Sequence, residues 1–189
     1  MKYLILLLCL ISHPLMAQTS ASVCLSCHRP EGFDSKTAWP NLAGQHPSYL
    51  IKQMQDIRAG RRVVPVMSAL LQQLTDKEIE DLAAYYATMP NTSALAPITS
   101  VRGEQLYKNG DFKKRINACT VCHGPRGSGN DKAGFPALKG QSAAYIIMQL
   151  DAFKKGKRTN DLHQIMQNIS QHMSDEEIEA VATYIQSLH

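Results

Sequence analysis

The strongest constraint on this chain is an internal repeat that spans almost all of it. Cys24-Leu25-Ser26-Cys27-His28 returns 95 positions later as Cys119-Thr120-Val121-Cys122-His123. Pro40-x-Leu42-x-Gly44-Gln45 returns 96 positions later as Pro136-x-Leu138-x-Gly140-Gln141. Tyr49, Gln53 and Gly60 return as Tyr145, Gln149 and Gly156. Leu74-Thr75-Asp76-x-Glu78-Ile79-Glu80 returns as Met173-Ser174-Asp175-x-Glu177-Ile178-Glu179, and Ala83 and Tyr85 return as Ala182 and Tyr184. Self-similarity of this kind means two units on one plan, here with small insertions in the second.

The flanks of the repeat set its limits. Lys2 precedes an apolar run from Tyr3 to Ile11, and Leu15-Met16-Ala17 follows a break at Ser12-His13-Pro14. A positive start, a short apolar run and a small residue form a secretory signal, expected to be cleaved after Ala17. The run is shorter than the about 20 apolar residues that span a bilayer. Residues 18–90 then form the first unit, 91–100 a linker and 101–189 the second. The stretch from Pro90 to Ser100, which includes the linker, holds two prolines, small residues and no charge, which suits irregular chain. Only residues 18–23 precede Cys24 after cleavage, so the first unit is expected to lack most of an N-terminal helix.

Both units read as all-α. Thr75-Asp76 and Ser174-Asp175 are N-cap signals with an acidic first turn. Apolar residues at helical spacing follow each: Ile79, Leu82, Ala83 and Tyr86, then Ile178, Val181, Ala182 and Ile185. Residues 48–59 and 143–155 have the same period and run into Gly60 and Gly156. A further helix is expected over 103–108, with Gly103 and Tyr107 on one face. No period-2 run predicts sheet. Tyr85 and Tyr184 read as core aromatics with a polar tip.

The cysteines point to the chemistry. Four remain once Cys9 leaves with the signal, all in the two Cys-x-x-Cys pairs. A histidine directly after each pair is the attachment signature of c-type haem. Two thiols on one helical turn can add to the two vinyl groups of the porphyrin, which brings the next side chain under the ring. Cys24, Cys27, Cys119 and Cys122 are thus expected to hold two covalent haems, with His28 and His123 binding iron. Zinc sites of paired Cys-x-x-Cys are usually about 15–20 residues apart, whereas Cys27 and Cys119 are separated by 92. A thioredoxin-like dithiol would need alternating strands and helices.

The repeat also selects the sixth iron ligand. Of Met54, Met67, Met89, Met148, Met166 and Met173, only Met67 and Met166 align with each other. Each precedes its Thr/Ser-Asp helix start by eight residues and follows a glycine and a basic pair, Arg61-Arg62 or Lys157-Arg158. Met67 and Met166 are therefore the expected axial partners of His28 and His123, with Met173 the rival in the second unit. Met54 and Met148 read as core filler. Trp39, the only tryptophan, is expected to pack against the first haem.

These motifs together resemble the dihaem class I c-type cytochromes known as the cytochrome c4 family, over essentially the whole chain after the signal. The resemblance implies two tandem helical cytochrome c-type domains, each wrapping one covalent haem, with the haems near the domain interface. It also implies electron delivery in the periplasm between redox proteins, such as a quinol-oxidising complex and a membrane-bound terminal oxidase or reductase. His/Met ligation closes both axial positions of iron, which favours electron transfer over catalysis. The alternatives are a haem subunit of a dehydrogenase and a dihaem peroxidase. Charge excludes a nucleic-acid partner. Residues 18–95 hold seven Lys/Arg and seven Asp/Glu, and residues 96–189 hold twelve and nine, too even and scattered a distribution for a phosphate-binding face. Lys113-Lys114-Arg115 is either a docking patch for an acidic protein or a solvated basic turn.

Overall fold

The computed structural model describes residues 21–28, 38–91 and 100–188. The signal segment and most of the linker, two features expected from the sequence, lie outside these residues, as does the segment just ahead of residue 21.

The first half carries α1 (Pro47–Arg58), α2 (Pro65–Leu71) and α3 (Asp76–Thr88). The second carries α4 (Val101–Asn109), α5 (Thr120–His123), α6 (Ala143–Lys154), α7 (Ile165–Ser170) and α8 (Asp175–Gln186). Residues 21–25 are also helical. The expected helices over 48–59, 143–155 and 103–108 form with ends one or two residues away. Among the described residues the only β pairing is two isolated bridges, Asp111 with Ile116 and Asn130 with Phe135.

Each helix start has a local cause. Pro47 and Pro65 occupy the first turns of α1 and α2, where the missing N–H costs nothing and the fixed φ suits a helix. Thr75 and Ser174 build capping boxes. Glu78 N–H donates to Thr75 Oγ1 while Thr75 N–H donates to the Glu78 carboxylate at 2.8 Å. Glu177 N–H and Ser174 N–H make the same exchange in α8. Each box satisfies two backbone donors that a helix end leaves open.

Packing repeats as the sequence does. In the first half α3 packs on α1 around Leu50, Ala83 and Tyr86. In the second, α8 packs on α6 and α4 around Leu106, Tyr107, Ile146, Val181 and Ile185. Gly103 permits the α4–α8 crossing: a Cβ there would lie 2.0 Å from the Ala180 carbonyl oxygen. Tyr184 is half-buried and meets Tyr107 with ring centroids 5.4 Å apart. In the first half Tyr86, next to Tyr85, is the aromatic that fills the core. Met148 corrects an expectation: it is 42% exposed on α6, not core filler. The helix there turns a different face inward, led by Tyr145, Ile146, Leu150 and Phe153.

The two halves meet through reciprocal contacts. Gln45 Nε2 donates to the Ala137 carbonyl at 2.8 Å, and Gln141 Nε2 donates to the Asn41 carbonyl at 2.5 Å. Arg62 donates to Tyr145 Oη and Gln149 Oε1, and Arg158 donates to Tyr49 Oη and Gln53 Oε1. Each arginine also bonds the glutamine of its own half, Arg62 to Gln53 and Arg158 to Gln149. Every pair in this set is a repeat pair, so a pseudo-twofold axis passes between the halves. Asn91 lies at that junction and donates to the Lys139 carbonyl at 2.9 Å. Among the described residues no helix is long and apolar enough to cross a membrane.

Candidate haem centres

Both Cys-x-x-Cys-His segments form one tight turn. His28 N–H donates to the Cys24 carbonyl at 2.8 Å, and His123 N–H donates to the Cys119 carbonyl at 2.9 Å. The turn holds both sulfurs and the imidazole of each segment together. Neither pair forms a disulfide. Burial raises the pKa of Cys24 and pushes that of Cys119 up to about 12. Thiols held protonated in this way are poor metal ligands and poor exchange nucleophiles. A thioether carries no charge to desolvate and fits the same positions.

The histidines are prepared for a metal. Each is buried, 7% exposed. His28 Nδ1 bonds the Pro40 carbonyl and His123 Nδ1 bonds the Pro136 carbonyl, both at 2.9 Å. A carbonyl acceptor fixes the proton on Nδ1 and leaves the Nε2 lone pair for iron. Burial also lowers both imidazole pKa values, against the opposing effect of the Pro40 and Pro136 hydrogen bonds. Among the described residues no group of three His, Cys, Asp or Glu side chains could hold a bare metal ion. In each half one buried imidazole with its Nε2 available, next to a Cys-x-x-Cys pair, fits a haem that those residues would hold.

The methionines sit differently in the two halves. Met166 and Cys119, half-buried, pack on the same core of the second half, together with Leu138. Asp161 anchors that helix start: its Oδ2 accepts from Met166 N–H at 2.8 Å and from Gln167 N–H at 3.1 Å. Met67 is half-buried on α2, which packs against α1. It is not among the residues packed on the first core, where Cys24, Leu42, Met54 and Met89 lie. Met173, the rival, is buried within the second core. Trp39 is 51% exposed and so is not enclosed by protein.

Lys113, Lys114, Arg115 and His172 line one surface recess. Lys114 is tied to Glu177 at 2.8 Å, while the adjoining Phe112 is almost fully exposed. The sequence reading passed over the roles of Gln45, Gln141, Tyr49, Tyr145, Gln53 and Gln149. Their signal was present, because all six are repeat pairs that the haem motifs leave unexplained.

The family profile described as Cytochrome c matches the chain twice, over residues 17–90 and 100–189. The chain is 43% identical over 174 residues to cytochrome c4 of Pseudomonas aeruginosa, covering 91% of this chain and 87% of the relative. It is 38% identical over 173 residues to a thiosulfate dehydrogenase electron acceptor of Stutzerimonas stutzeri, covering 89% of this chain and 80% of that protein. The crystal structure of reduced recombinant cytochrome c4 from Pseudomonas stutzeri superposes with a TM-score of 0.85 at 40% identity, over 92% of this chain and 97% of that one.

Proposed function

Because the chain belongs to the cytochrome c family and stands within it among the dihaem cytochromes c4, we propose that it shuttles electrons in the periplasm between a quinol-oxidising complex and a terminal oxidase or reductase. It is an electron carrier with two covalently bound haem c groups. The signal segment at residues 1–17 supports the compartment.

When bound, each haem supplies an iron that alternates between ferric and ferrous states. Cys24 and Cys27 hold the first by thioether bonds, and Cys119 and Cys122 hold the second. His28 with Met67, and His123 with Met166, would supply the protein ligands to the two irons. The observation that carries this assignment is the matched pair of imidazole–carbonyl bonds, His28 to Pro40 and His123 to Pro136, each 2.9 Å. They hold each imidazole in one tautomer and orientation, so little has to rearrange when an electron arrives. A thioether ligand favours the ferrous state and raises the potential. Burial acts in the same direction, because low dielectric disfavours the extra ferric charge.

Met67→Ala and Met166→Ala test the ligand set. Each is expected to abolish the Met-ligated spectrum of one haem, lower its potential and open it to carbon monoxide, while the other haem is unchanged. A wild-type haem that is already five-coordinate, or a variant with an unaltered spectrum, would exclude the assignment.

A second donor class has its own support. The relative named as a thiosulfate dehydrogenase electron acceptor makes a dehydrogenase the alternative source of electrons. Stopped-flow reduction of the purified protein by such an enzyme, set beside reduction by a quinol-oxidising complex, separates the two donors.

A further inference from the structure

The carbonyl of Pro40 and the N–H of Asn41 belong to one peptide group, as do the carbonyl of Pro136 and the N–H of Ala137. The first group accepts from His28 Nδ1 through its oxygen at 2.9 Å and donates to Gln141 Oε1 through its nitrogen at 3.0 Å. The second accepts from His123 Nδ1 at 2.9 Å and donates to Gln45 Oε1, also at 2.9 Å. Each glutamine closes a ring by donating its Nε2 to the next carbonyl, that of Asn41 or Ala137. Gln45 and Gln141 are 6% and 5% exposed, so water does not compete for these bonds. In both cases the glutamine and the histidine come from opposite halves.

Hydrogen bonds on one peptide polarise each other. A peptide N–H that donates leaves its own carbonyl oxygen more negative and a better acceptor. A stronger bond at imidazole Nδ1–H makes the other ring nitrogen a stronger donor to a bound metal. A stronger donor stabilises ferric iron and lowers the potential. We infer that Gln141 tunes the haem of the first half and Gln45 that of the second, so that each potential is set partly by a side chain from across the interface. The inference rests on His28 and His123 as iron ligands.

Gln141→Met and Gln45→Met keep the volume and remove both hydrogen bonds. They are read in the full-length holoprotein, with each haem followed through its own paramagnetically shifted methyl resonances during redox titration. Gln141→Met is expected to raise the potential of the first haem and leave that of the second unchanged. Gln45→Met should do the reverse. In the reduced, diamagnetic protein the His28 Nδ1–H proton should move upfield in Gln141→Met while that of His123 stays in place. Ser48→Ala removes a different bond across the interface, to Asp131 at 2.6 Å, and should move neither potential. Shifts that are absent, equal on both haems or confined to the mutated half overturn the relay, and so does a Ser48→Ala variant that reproduces them. If Gln141→Met does not take up haem, Gln141→Leu replaces it; it also removes both hydrogen bonds, so the His28 proton must move upfield, and any other result counts against the relay. A wild-type protein without two histidine-ligated, six-coordinate haems would refute the ligand assignment instead.

Discussion

Glu177 is a buried carboxylate held by two cations and a backbone N–H. It accepts from Lys114 Nζ at 2.8 Å, Arg102 Nη2 at 2.6 Å and Ser174 N–H at 3.0 Å. Burial works to raise its pKa, but Lys114, the Ser174 backbone and Arg102 outweigh it and hold the carboxyl at about 2. In the unfolded chain the group returns to an ordinary value near 4.5, so the folded state binds the proton less well. The stabilisation is complete above that ordinary value and drains away as pH falls towards 2. Glu177→Gln is therefore expected to melt at a lower temperature than the wild type at pH 7. The two melting temperatures should converge as pH approaches 2, followed by circular dichroism. Single residues were also where pattern was least informative. Met148 has the composition of a core residue yet lies at the surface, because register within a helix depends on what the neighbouring elements cover.

At the level of the elements, the capping boxes do the most for the least sequence. Thr75 and Ser174 each tie off a helix whose apolar face builds half a core. Thr75→Ala and Ser174→Ala should each cost about 1 kcal/mol, measured as a shift in denaturant midpoint with unchanged slope. The helices themselves were legible, since period and N-cap agree at α3 and α8, and period and terminating glycine agree at α1 and α6. The turn at each Cys-x-x-Cys-His was legible from the motif itself. The short helices bearing Met67 and Met166 were legible only as positions in a repeat. Pro65 starts one, while the other is started by Asp161 after left-handed residues at His163 and Gln164. Two different local devices at equivalent points give no common pattern to read.

For the whole molecule, the interface is the feature that sequence reasoning did not reach. Repeat pairs such as Arg62 and Arg158 mark equivalence within each half, and nothing in the pattern says that one half's residue bonds the other's. Arg158 is buried, lies 4.5 Å from the Phe153 ring centroid and donates to Tyr49 and Gln53 across the junction. Removing it takes the donor from Tyr49 Oη, which costs about 1–3 kcal/mol, while Gln53 Oε1 keeps Arg62 and Asn160. Calorimetry of Arg158→Ala is expected to show two transitions, the first half melting earlier, where the wild type shows one. The pseudo-twofold arrangement also bears on ancestry. An isologous contact is self-complementary, so that one patch serves both partners. Tyr49, Gln53 and Arg62 supply one copy of such a patch, and Tyr145, Gln149 and Arg158 supply the other. A single-haem ancestor carrying that patch could have paired with itself before any duplication joined two copies in one gene, and the junction seen today is then older than the chain that contains it.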